Sequence, residues 1–362
     1  MLSIFPFIKE KMNKSFLIIL VLLFNLTACH NMPGNKMKQL YTKDLDQYQH
    51  TFNAIFFINK DTGFIAGSYD SVWSKPDRAG PQFALMTQTA LLYQTIDGGK
   101  TWREKRFGEG SFLHIIQANS GIYAVLNSDK DNHSEIYLYD KQSNAWSLSF
   151  SFPTVVNNIF DTRNDRIIVA QDSSRNFRFY MSALNKTDWH IIFPKSNILS
   201  EPVTSGDSII YISTNDKVNF SKNILVYANT KSLTKTIISL PEGFEAEQMA
   251  TCEGKVKIAG VKDGKITIYS LARNSGLKHE GTYGGKKDAY TIGWFYTPKV
   301  TWLIARRLKD PDKFILKTDN ANHWSIIHFR REQWVEPFCF WQGKSSVKAW
   351  FFSGLGHIQV MD

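Results

Sequence analysis

Thr95-Ile96-Asp97-Gly98-Gly99-Lys100-Thr101-Trp102 is the stretch that decides the fold of this 362-residue chain. It follows the apolar run Ala90 to Tyr93 and precedes the short run Arg103 to Phe107, so it reads as the turn of a β-hairpin. Asp97 supplies a carboxylate able to bond backbone amides inside the turn, and Gly98-Gly99 supply residues that accept positive φ. Trp102 opens the outgoing strand, where its ring covers the turn.

Outward from this turn, tryptophans mark a repeat. Trp102, Trp146, Trp189 and Trp324 each follow a polar turn that follows a Tyr/Leu/Ile-rich run; the first intervals are 44 and 43 residues. Trp189 and Trp324 lie 135 residues apart, three intervals of 45, which places two missing anchors near Thr234 and Lys278, just after the runs Ile224 to Tyr227 and Ile266 to Tyr269. A period in the mid-forties built of four short strands is that of a β-propeller blade. The opening stretch resembles an Asp-box (BNR) repeat, Ser/Thr-x-Asp-x-Gly-x-Thr-Trp, through Thr95, Asp97, Gly99, Thr101 and Trp102. The last turn, Lys317 to Trp324, keeps Asp319 and Trp324 at the same separation. The resemblance implies a structural turn.

Ala54 to Ile58, the polar turn Asn59 to Gly63 and the return Phe64 to Gly67 resemble the start of a blade in photosystem II assembly-factor-like propellers. Between Ser68 and Thr89 the extra length, with Pro76, Gly80 and Pro81, reads as a long surface loop, a place where binding tends to reside. After Phe329 only three strand-like runs remain: Pro337 to Trp341, Val347 to Phe352 and His357 to Met361. A sheet left with three strands keeps an open edge, and Lys38 to Lys43 is the natural fourth. The expectation is therefore an all-β propeller of seven four-stranded blades closed by the N-terminal strand, with six blades as the runner-up.

From Met12 the chain reads as a short basic region, the apolar run Phe16 to Leu26, and Thr27-Ala28-Cys29. That apolar run is short for a permanent span. Leu26-Thr27-Ala28-Cys29 resembles a bacterial lipobox, which implies lipidation at Cys29 after removal of residues 1–28; an ordinary signal peptide is the alternative. His30 after the Cys implies, by resemblance to enterobacterial lipoproteins, the outer membrane and its periplasmic side. Residues 29–50 then form the tether and closing strand, and 51–362 the propeller. An internal start at Met32 or Met37 would instead yield a minor soluble cytoplasmic form.

Net charge is +10, of which the leader carries +2 through Lys9, Lys11, Lys14 and Glu10. The remainder favours acidic partners, although the charges are scattered. Nucleic acid is disfavoured by compartment and by aromatics that follow the strand period. Three cysteines make no disulfide framework. The nine histidines are dispersed; lone His114, His190, His328 and His357 sit at strand positions as packing or surface residues. No metal-ligand spacing, nucleophile elbow or phosphate loop is present, so no metal, cofactor or catalytic set is expected. Sialidases, which also carry Asp-boxes, need an arginine cluster usually announced by Arg-Ile-Pro, which this chain lacks.

A binding module remains. In architecture the chain is similar to immunity lipoproteins that block toxic effectors such as type VI phospholipases. The alternatives are an assembly or scaffolding factor for an envelope complex and a glycan-binding or sialidase-like protein. The expected contacts are the Ser68 to Thr89 segment and the basic pairs Arg306-Arg307 and Arg330-Arg331, although the favoured reading of those pairs on their own is solvated loop ends rather than a dedicated anion site.

Overall fold

The computed structural model describes residues 37–40, 50–73, 85–128, 132–162, 164–172, 176–184, 186–196, 198–214, 223–252, 255–272, 276–284, 290–296, 301–307, 313–318, 323–328, 338–342, 347–352 and 358–361. Every regular element among them is a β-strand. The first, β1 (Met37–Leu40), stands apart in sequence. Sheet 1 follows as β2 (His50–Phe57), β3 (Gly63–Trp73), β4 (Leu85–Thr95) and β5 (Arg103–Glu109), and sheet 2 as β6 (Ser111–Ala118), β7 (Gly121–Asn127), β8 (Ser134–Asp140) and β9 (Ala145–Phe152). Sheet 3 holds β10 (Val155–Asp161), β11 (Asp165–Gln171), β12 (Phe177–Ala183) and β13 (His190–Ser196). Sheet 4 holds β14 (Val203–Thr204), β15 (Ser208–Thr214), β16 (Asn223–Asn229) and β17 (Thr234–Ile238). Sheet 5 holds β18 (Phe244–Cys252), β19 (Lys255–Lys262), β20 (Lys265–Ala272) and β21 (Gly276–Tyr283). Sheet 6 holds β22 (Tyr290–Tyr296), β23 (Thr301–Arg307), β24 (Lys313–Thr318) and β25 (Trp324–His328). The last sheet runs β26 (Phe338–Gln342), β27 (Val347–Phe352), β28 (Ile358–Met361) and then β1, whose residues pair antiparallel from Met37↔Met361 to Leu40↔Ile358.

Burial explains why these sheets stack. The second strands β7 and β11 carry apolar runs without alternation, Ile-Tyr-Ala-Val-Leu and Ile-Ile-Val-Ala, and their residues are buried along the whole run. Such a run is stable only when both faces of the sheet are covered, and the covers are the neighbouring sheets. The fourth strands β9 and β17 are mostly exposed. First strands of successive sheets touch: β2 meets β6, β6 meets β10, β18 meets β14 and β22, and β26 meets β2. Burial thus peaks at the second strand and is lowest at the fourth.

The tryptophan spacing lands where it should. Trp102 and Trp189 immediately precede β5 and β13, Trp146 is the second residue of β9, and Trp324 opens β25. The two missing anchors, Thr234 and Lys278, fall at the start of β17 and within β21. Two readings need correction. The segment from Ser68 to Thr89 is not a simple loop: β3 and β4 stay paired out to Trp73↔Leu85, past the last pair β3 makes with β2 at Tyr69 and the last that β4 makes with β5 at Thr89. A two-stranded ribbon therefore extends beyond sheet 1, because the alternating Ser-Tyr-Asp-Ser-Val-Trp and Leu-Met-Thr-Gln-Thr runs favour pairing over coil; Pro76, Gly80 and Pro81 lie outside the described residues. The closing strand covers Met37–Leu40, and 41–43 lie outside the described residues.

The first strands share an irregularity. Register slips by one residue after Phe52 in β2, Phe112 in β6, Val156 in β10, Ala246 in β18 and Ile292 in β22. A one-residue bulge re-aims the extra side chain. Asn53, the extra residue of β2, donates from Nδ2 to the Phe112 carbonyl at 3.0 Å and to Ser111 Oγ at 2.9 Å. Glu247, the extra residue of β18, accepts the Ile292 amide at 2.5 Å. In both cases the bulge stitches one sheet to the next. Gly67 faces the β2 bulge, and a Cβ there would lie 1.9 Å from the Thr51 carbonyl, so only glycine fits.

Candidate functional site

Alternating strand direction gives each sheet two ends. At one end lie the turns from first to second and from third to fourth strand; at the other lie the second-to-third turns and the exits to the next sheet. The Asp97 turn belongs to the first end, and the β3–β4 ribbon to the second.

At the first end the turn is fully wired. Asp97 Oδ1 accepts the amides of Lys100 at 2.9 Å and Thr101 at 3.0 Å, and Oδ2 accepts the Thr101 hydroxyl at 2.6 Å. Thr95 Oγ1 donates to Asp97 at 2.8 Å and accepts the Gly99 amide at 2.9 Å. Gly98 and Gly99 take φ of 75° and 92°. The Trp102 indole N–H donates to the Gly99 carbonyl at 3.0 Å. Burial by itself would raise the Asp97 carboxyl, yet the bonds from Thr101, Thr95 and Lys100 outweigh it and bring it down to about 2. All five residues named by the sequence pattern thus bond one another, and the turn does mechanical work. Trp102 meets Phe57 edge-on at 6.1 Å, and Phe57 stacks on Trp350 of β27 at 3.6 Å. Cys339 of β26 accepts the Phe57 amide at 3.1 Å, and burial pushes its thiol up to about 12, so it is an inert packing group.

Later turns keep part of the wiring. Asp140 accepts the Gln142 amide at 2.9 Å and the Ser143 hydroxyl at 2.6 Å, and Asn229 accepts the amides of Lys231 and Ser232. The left-handed position passes to Asn144 and Leu233, both at φ 55°. The buried indole N–H groups of Trp146 and Trp189 have no hydrogen-bond partner. Trp324 is half-buried against Tyr283 at 5.7 Å; Asp319 lies outside the described residues, as do Cys29, Arg330 and Arg331. Arg306 and Arg307 are the last two residues of β23, in the ladder opposite Thr291 and Tyr290 and not in a loop; Arg306 is exposed.

A feature the sequence did not announce sits where sheets 2 to 5 converge. The first strand of sheet 4 is cut to Val203–Thr204. Ahead of it Ile198 makes one bridge to Ser213, and the Leu199 amide donates to the Ile212 carbonyl. Pro202, which cannot donate, sits against the break. A cavity of about 410 Å³ opens there, and its polar wall comes from His114, Asn157, Asn158, Ser200, Glu201 and Gln248. Asn157 occupies the bulge position that Asn53 and Glu247 use for stitching, but its Oδ1 is buried with no partner, and so is Ser200 Oγ. Burial lowers His114, which is therefore neutral at pH 7. Crowding by the surrounding sheets pushes the Glu201 carboxyl upward, while its side chain remains open to solvent, which moderates the push. The signal available beforehand was Ser200-Glu201-Pro202, a strand breaker where a first strand was due. Among the described residues no cluster of His, Cys, Asp and Glu could hold a metal ion, and no helix is long and apolar enough to cross a membrane.

No family model matches the chain, and no curated protein matches it. Solved structures do. The β-propeller domain of the trilobed protease from Pyrococcus furiosus superposes with a TM-score of 0.57 at 9% identity, covering 87% of this chain and 96% of that one. The protein lmo1340 from Listeria monocytogenes gives 0.56 at 10% identity over 86% and 92%. The WD40 domain of Toxoplasma gondii coronin gives 0.53 at 8% over 90% and 85%. At such identities the likeness is one of fold, and the chain is an all-β protein with the architecture of a β-propeller.

Proposed function

We propose that this chain is a non-catalytic Asp-box propeller whose seven sheets form one closed ring, and that it works by binding another protein. The ring is joined by β1 on β28. Lipidation at Cys29 holds it at the outer membrane, facing the periplasm. The partner is a toxic effector, such as a type VI phospholipase, and the chain is its immunity protein.

The observation that supports a docking role is the difference between the two ends of the sheets. Among the described residues, one end is finished with tight, internally bonded turns such as those of Asp97, Asp140 and Asn229. The other carries a ribbon that leaves its sheet, an exposed arginine at the end of β23 and a broken first strand beside a cavity. A rigid scaffold with its irregularities gathered at one end presents a binding surface. The positive charge outside the leader suits an acidic partner.

The test is to delete the gene and challenge the cells with the toxic product of the adjacent gene or with sibling cells, while co-purifying the tagged chain with that product. Loss of resistance together with a stable complex is the expected result. Full resistance in the deletion strain with no complex overturns the immunity reading, and loss of one envelope complex would point to an assembly factor instead.

A further inference from the structure

The convergence of sheets 2 to 5 has a chemistry of its own. At about 410 Å³ the cavity falls within the range of small-molecule sites. Its wall is divided. Val169, Phe177, Ile198, Leu199 and Met249 give an apolar side, and Leu199 is 41% exposed although it sits among strands. The other side is polar. Among the described residues of the wall Glu201 is the one acidic or basic side chain besides His114, whose basicity burial lowers.

Two acceptors in that wall are unsatisfied. Asn157 Oδ1 and Ser200 Oγ are shielded from water and lack a hydrogen-bond partner, and each such atom costs about 1–3 kcal/mol. At two other bulges the next sheet bonds the extra residue: Asn53 donates from Nδ2 to the Phe112 carbonyl, and Glu247 accepts the Ile292 amide. Sheet 4 does not, because its first strand is broken. Among the described residues, the segment 198–202 is tied to β15 by the Ile198↔Ser213 bridge and the bond from the Leu199 amide to the Ile212 carbonyl.

We propose that this cavity binds an alkylammonium or guanidinium group, with Glu201 as counter-ion, Asn157 and Ser200 as acceptors and the Leu199–Met249 side holding the aliphatic stem. The cation belongs either to a free small amine or to a Lys or Arg side chain reaching in from a docked protein. A neutral or anionic ligand would leave Glu201 uncompensated and bring fewer N–H donors. The proposal stands without the docking reading, since a free amine needs no partner protein.

The experiment is calorimetric titration of the full chain in detergent with 1,5-diaminopentane, with its uncharged analogue 1,5-pentanediol, and with a capped Gly-Gly-Lys-Gly-Gly peptide. Either amine probe is expected to bind at least about tenfold more tightly than the diol, a difference of about 1.4 kcal/mol. Glu201→Gln is expected to lose at least that factor while its melting temperature stays within a degree or so of the parent. Binding of the diamine points to a free ligand, and binding of the peptide alone points to an inserted side chain. Equal binding of amine and diol, no binding of either amine probe, or an unchanged affinity in folded Glu201→Gln overturns the proposal.

Discussion

Trp350 donates its indole N–H to the Gly98 carbonyl at 3.4 Å, so the last sheet of the chain is bonded to the Asp97 turn of sheet 1, 252 residues earlier. The same ring lies flat on Phe57 and is fully buried. Trp350→Ala removes the largest side chain at the junction of first and last sheets, and its expected cost is about 3–5 kcal/mol in urea unfolding. Trp350→Phe keeps the stacking and loses only the long N–H bond, so it should cost about 1 kcal/mol or less. A result in which both variants cost the same would show that the junction depends on the bond and not on the stacked ring.

Asp97 makes stability sensitive to acid. Its carboxyl titrates near about 2 in the folded chain, against about 4 when unfolded. The group's folded value is depressed, so its contribution is complete above about pH 4 and disappears as the pH falls toward about 2. Asp97→Asn lacks that contribution at every pH. Melting temperatures of parent and variant should differ at pH 6 and converge across that window; a constant gap down to pH 2 would contradict the wiring of the turn.

The bulge residues separate stitching from binding. Glu247→Ala strands the Ile292 amide, and a cost of about 1–3 kcal/mol is expected. Asn157→Ala occupies the matching position but removes a buried oxygen that bonds nothing, so it should cost no stability and, by relieving that atom, gain up to about 1–3 kcal/mol. Denaturant titration of the two variants side by side checks the contrast.

Leu233 is a local misfit. It holds a left-handed φ of 55° with its side chain 52% exposed, at a strain of about 1 kcal/mol for an ordinary residue. Leu233→Asn should gain up to about that much, since asparagine tolerates the conformation and little packing is lost. Differential scanning calorimetry should register a small rise in melting temperature; a fall would mean that the exposed leucine packs against something in solution.

Much of the architecture could be read because one feature repeated. Tryptophan follows a polar turn in sheets 1, 2, 3 and 6, and even where the ring has been replaced, at Thr234 and Lys278, the interval carried the reading across. The closing strand was legible by elimination, since the run after Phe329 was one strand short. The Ser68 to Thr89 ribbon was not, because prolines and glycines in its middle mask the pairing of the residues on either side. The cavity was hidden for a different reason: it depends on a one-residue register slip in β10 and on a missing partner in sheet 4, and neither leaves a mark in hydrophobic period. His114, which reads as an ordinary strand histidine, becomes a wall residue only when sheets 2 to 5 are brought together.

The pairing of β1 with β28 also fixes how force would travel. Tension on the chain upstream of Met37 is carried by the four antiparallel pairs from Met37↔Met361 to Leu40↔Ile358. Those pairs belong to the last sheet itself, so a pull strong enough to peel them away opens the fold at its seam rather than stretching an independent leash.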